Sequence, residues 1–186
     1  MAVKKKRQII YKKLNIDRKW LFIILFLAVL SFFIDIWQII FLCMFSVGNA
    51  FLLTIDRYIN APVDIELSTF AAVIMTQLYT LKWGIAVAIL SKVAAIIYNK
   101  KFSVDHLFMM GGYIVAALIA SIAPGSIVVA GIISTIVVNL YVVFVSKYIT
   151  HLSTYEIVMY GSSNTIFNVV LFIGFGEIIF KLMGLF

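Results

Sequence analysis

The chain has 186 residues, of which 64% are hydrophobic and 12% charged, with a formal net charge of +7. A water-soluble domain of that composition could not cover its surface with polar groups, and 186 residues leave no room for a separate soluble domain beside a membrane domain. The lone Cys43 excludes a disulfide framework or a cysteine metal site within one chain.

The first nineteen positions carry eight of the fifteen basic residues: Lys4, Lys5, Lys6, Arg7, Lys12, Lys13, Arg18 and Lys19. A nucleic-acid arm would look similar. A basic block directly before an apolar run is, however, the ordinary cytoplasmic retention signal, so residues 1–19 read as a cytoplasmic N-terminal segment and nucleic acid is not an expected partner. Ile9, Ile10, Leu14 and Ile16 among the cations permit a short helix on anionic headgroups. The apolar run that follows is too long for a cleaved signal peptide.

From Trp20 to Ile55 the only charged residue is Asp35, and residues 20–186 read as one transmembrane helical domain. Continuous apolar runs exclude the alternation of a β-barrel, so the expected fold is all-α, a polytopic membrane bundle. Trp20 to Arg57 as one helix would be roughly 57 Å long against a hydrocarbon core of about 30 Å. It is either a hairpin turning at Asp35 to Gln38 or one helix with an interfacial extension. The bundle therefore has six or seven transmembrane helices. With the N-terminus inside, six spans place ten basic residues inside and four outside (Arg57, Lys100, Lys101, Lys147), whereas seven place twelve inside and two outside (Lys82, Lys181). The charge rule favours seven by a narrow margin.

The later segments are Ile65 to Leu81, Trp83 to Tyr98, Asp105 to Ala123, Ser126 to Tyr148 and Tyr155 to Leu182. Asn60 to Pro62, Lys82 to Gly84, Asn99 to Lys101, Pro124-Gly125 and His151 to Thr154 separate them.

Polar groups at membrane depth must face the bundle interior, a cavity or a partner. Tyr160, Asn164 and Asn168 recur at i, i+4 and i+8, one stripe on the last helix. Asn139, Thr76 and Gln77 lie inside other segments. These residues either bond between helices or line a polar pocket. Asp64, Glu66, Asp105 and Glu156 precede or open helices, where carboxylates cap free N–H groups, and each has a ligand-binding reading beside that capping one. Lys92 is the most costly intramembrane residue, with snorkelling as its escape; with Asp35 it motivates a third reading, an ion-translocating unit. Glu177 and Lys181, at i and i+4, pair structurally. Gly112, Ala116 and Ala120 form a small-xxx-small stripe, for internal packing or for a partner.

Two histidines in separate loops give no metal pattern, and no GxSxG, Walker or HExxH motif appears. Neither enzymatic activity nor a cofactor is expected.

From Asn60 to Met183 the chain resembles the membrane substrate-capture subunits (S components) of energy-coupling-factor transporters and the related MreD proteins. The resemblance lies in the loop Pro62 to Leu67 leading into Phe70-Ala-Ala72, two short spans joined by Leu81-Lys-Trp-Gly84, the small-residue stretch Gly111 to Ala117, and an Asn-containing last helix. The turn lacks the family's proline and one glycine, and the Ala-x-x-x-Ala signature of its first helix is absent from Trp20 to Arg57. An S-component likeness implies a multi-pass cell-membrane protein that captures a small, vitamin-like molecule and hands it to a membrane partner subunit with an ATPase. It implies ligand contacts at Asp64, Glu66, Thr69, Asp105, His151, Glu156, Tyr160, Asn164 and Asn168. An MreD-like likeness implies instead a structural or assembly subunit of a larger membrane complex without a ligand pocket.

Overall fold

The computed structural model describes residues 36–55, 62–100 and 102–186, and these are helical with short connections. In chain order the helices are α1 (Ile36–Ile55), α2 (Ser68–Leu78), α3 (Leu81–Asn99), α4 (Val104–Ile122), α5 (Ile127–Tyr148) and α6 (Thr154–Leu171). A π-helical turn, Phe172–Gly176, then passes the chain into α7 (Glu177–Met183). Five helical stretches among the described residues are long and apolar enough to cross a membrane: α1, α3, α4, α5 and the continuous run Thr154–Met183. Ile36, Trp37 and Gln38 belong to α1. Asp35 and the basic N-terminal segment lie outside the described residues, and the expected hairpin or interfacial extension of Trp20 to Asp35 falls there with them; the described residues themselves hold five candidate spans, not the six counted with Ile65 to Leu81.

The breaks have local causes. Ser153 and Glu156 cap α6 reciprocally: the Glu156 N–H donates to Ser153 Oγ at 3.3 Å, and the Ser153 N–H donates to Glu156 Oε2 at 2.9 Å. Ser126 Oγ accepts from the Val129 N–H at 3.4 Å to start α5. Lys100, with φ 50°, ends α3 in the left-handed region. Pro124 ends α4, and it removes the N–H that the Ala120 carbonyl would otherwise receive. Gln77 on α2 supplies the missing donor through Nε2. Replacing Gln77 with leucine should therefore leave that carbonyl orphaned and cost about 1–3 kcal/mol; equilibrium unfolding in lipid nanodiscs measures it, and a variant as stable as the parent would contradict this role.

At about 16 Å, α2 is too short to cross a bilayer. It has no need to: Ser68 to Thr76 are all buried, and the helix packs against α3, α4 and α5 in the middle of the bundle. The buried residues of α3 include a row of small ones, Gly84, Ala88, Ser91 and Ala95, which brings its backbone close to α2. A larger aromatic pair, Phe70 and Phe172 with ring centroids 4.9 Å apart, joins α2 to the π-helical turn. Outward positions such as Leu140, Ile166 and Ile173 are apolar and about two-thirds exposed. Buried polar groups facing inward and apolar groups facing outward are the pattern of a bundle solvated by lipid.

Candidate functional site

Pro62 opens an irregular segment, residues 62–67, that leads into α2 and carries two carboxylates inward. Glu66 is 1% exposed and Lys92, mid-way along α3, is 0% exposed. Lys92 Nζ donates to Glu66 Oε1 in a salt bridge, and Tyr113 Oη from α4 donates to Glu66 Oε2 at 2.9 Å. Burying two charges costs several kcal/mol each unless geometry and further hydrogen bonds compensate. Here compensation comes from four helices. Ser68 Oγ lies 3.4 Å from Glu66 Oε2 and 2.9 Å from Ser91 Oγ. Asn49 on α1 donates to Ser68 Oγ at 3.0 Å, while its own carbonyl accepts the Leu67 N–H at 2.7 Å.

Lys92 therefore does not snorkel. It sits twelve residues into a nineteen-residue helix, and a partner at hand is a shorter route to compensation than the interface. Nor does Glu66 cap α2, since no side-chain cap bond is present at that helix start.

Asp64 is held from the opposite side. Asn164 Nδ2 of α6 donates to Asp64 Oδ2 at 2.9 Å, and the Asp64 N–H donates to Ser163 Oγ at 2.8 Å. Asn164 is itself braced: its Oδ1 accepts from Asn139 Nδ2 at 3.1 Å and from Asn168 Nδ2 at 3.3 Å. The segment 62–67 is thus tied to α3 and α4 through Glu66 and to α6 through Asp64.

Between these ties lies a cavity of about 260 Å³ at the end of the bundle where α4 and α6 begin and α5 ends. Its polar wall includes Asp64, Glu66, Lys92, Asp105, His106 and Tyr160; Phe108, Met109 and Tyr141 supply aromatic and thioether surface. His106 Nδ1 accepts the Ser103 N–H at 3.0 Å, which places the ring proton on Nε2. Among the described residues no group of three or more His, Cys, Asp or Glu side chains could hold a metal ion.

The nine ligand-binding residues of the sequence analysis separate into three groups. Asp64, Glu66, Asp105 and Tyr160 meet at the cavity wall. Asn164 and Asn168 are buried one layer behind it, positioning Asp64 rather than lining the space. Thr69, His151 and Glu156 are not part of the wall. Thr69 is fully buried on α2, His151 is exposed at a left-handed turn with φ 54°, and Glu156 is engaged in capping its own helix. The Gly112, Ala116 and Ala120 stripe is consumed by internal packing, not offered to a partner: Gly112 faces Tyr141 and Val138, and Ala116 and Ala120 are fully buried.

Sequence reasoning missed Tyr113, Tyr141 and the match between Lys92 and Glu66. The usable signal was a sum: one intramembrane cation and one near-membrane carboxylate each needed a partner. No known protein family, characterised protein or solved structure is matched by this chain.

Proposed function

We propose that this protein is a multi-pass cell-membrane subunit, with a cytoplasmic N-terminus, that binds a small, vitamin-like molecule for an uptake transporter resembling the energy-coupling-factor systems. A membrane partner subunit with an ATPase would then supply the energy. The observation that carries the reading is the cavity: about 260 Å³, walled by Asp64, Glu66, Lys92 and Asp105, inside a bundle whose outer faces are apolar. A few fixed polar groups in a mostly apolar concavity are what small-ligand sites have in common. A sealed assembly subunit of the MreD kind would have no use for such a space. The small-residue face that could have docked a partner is also occupied inside the bundle.

The test is purification of the full chain from its native membranes followed by mass spectrometry of what it carries. A small molecule at near-stoichiometric yield, with an ATPase subunit in the same preparation, is expected. Replacing Asn164 with leucine removes the donor that fixes Asp64 and should weaken retention roughly tenfold. His151→Ala and Glu156→Gln should leave retention unchanged, because neither residue belongs to the wall. Purified protein that is folded and carries nothing would sink the reading.

A further inference from the structure

We propose that the cavity takes an organic cation, an amine or ammonium compound on the order of ten non-hydrogen atoms, with Asp105 as its charge partner. The inference rests on the reading of the cavity as a ligand site and adds the chemical class of the occupant.

Among the described residues the only ammonium in the wall, that of Lys92, is committed to Glu66, whose second oxygen is taken by Tyr113. That pair is neutral as a unit and cannot recruit an anion without breaking a buried salt bridge. The Asp64 carboxylate is held by the Asn164 amide. His106 accepts the Ser103 N–H through Nδ1, so its ring adds no positive charge to the wall. Asp105, in the first turn of α4, is partly buried at the wall and has no hydrogen bond or ion pair among the described residues. Among the described wall residues Asp105 is therefore a carboxylate with no counter-charge. In an environment of low dielectric constant such a charge favours a cation and disfavours an anion.

The remaining wall suits the same ligand. Tyr141, Tyr160 and Phe108 present aromatic groups, whose π-faces attract ammonium ions. A bare metal ion fits poorly, since the described residues hold no convergent ligand set. The volume corresponds to roughly nine waters of bulk liquid, which suits a small organic molecule.

The experiment uses the full chain in nanodiscs and titration calorimetry with three probes of one shape: tryptamine (cation), indole-3-propionate (anion) and 3-methylindole (neutral). Tryptamine should bind at least about tenfold tighter than indole-3-propionate. Asp105→Asn should erase that preference, and Asp105→Lys should invert it. Equal or tighter binding of the anion to the parent protein overturns the inference, as does a preference that survives Asp105→Asn, or failure of tryptamine to bind. The two readings fail separately. A protein that refuses tryptamine but binds the anion, or carries an uncharged or anionic molecule from its membrane, remains a binding subunit with another ligand class. One that binds no probe and carries nothing loses both.

Discussion

Replacing Lys92 with methionine is expected to destabilise the bundle by about 3–5 kcal/mol. The substitution removes the cation but leaves Glu66, 1% exposed, with a carboxylate facing only Tyr113 and Ser68. The cost is that of an uncompensated buried charge rather than of a lost attraction. The double variant Glu66→Gln with Lys92→Met should recover most of the loss. An amide can still accept from Tyr113, and a neutral pair of similar volume has no ionic desolvation to offset. Reversible unfolding of the four proteins of this cycle in mixed micelles measures the coupling, expected at more than about 1 kcal/mol. A single Lys92→Met variant as stable as the parent, or strictly additive effects, would show that the pair does not hold Glu66 in place. The cavity depends on the outcome, because Glu66 is one of the two tethers of its wall.

Gly84→Ala is expected to cost about 1–3 kcal/mol by overpacking. A Cβ there would stand 1.8 Å from Thr76 Oγ1 and 2.9 Å from the Ala72 carbonyl oxygen. The threonine can rotate away, but the backbone oxygen of a fully buried helix cannot. Thr76→Ala should accordingly rescue Gly84→Ala only in part. Gly84→Leu should separate α2 from α3 and prevent stable folding, read as loss of a monodisperse peak on gel filtration in detergent. Gly174→Ala is the control. Nothing lies within 4 Å of the added carbon, so its effect should stay within about 0.5 kcal/mol. If Gly84→Ala matches the control, the close approach of α2 and α3 is not a constraint on this fold. The position also revises a sequence expectation. Gly84 was compared with a turn glycine, yet it lies in the first turn of α3, where the contact with α2 demands the smallest residue.

The extent of the helices was legible because each boundary is local. Lys100, Pro124-Gly125 and the Ser153–Glu156 box stop or start helices through their own backbone chemistry, and the helices from α2 onward fall within a few residues of the apolar runs. Candidate wall residues were partly legible as well, since Asp64, Glu66 and Asp105 stand out against so apolar a background. Their roles were not. Helix capping and ligand contact make the same demand for a carboxylate near a helix start, and composition does not separate Glu156, which caps, from Glu66, which does not.

Apolar length and the scarcity of charge determined by themselves that this chain forms helices suited to lipid, because a backbone without water must satisfy its own hydrogen bonds. Only the tertiary structure decided that Lys92 meets Glu66 across 26 residues and that Asn164 meets Asp64 across 100. It also decided that the short α2 is buried in the centre rather than spanning. The physical reason is range: hydrogen bonding within a helix is set by the next four residues, whereas the compensation of a buried charge depends on whichever helix the packing of small residues brings alongside.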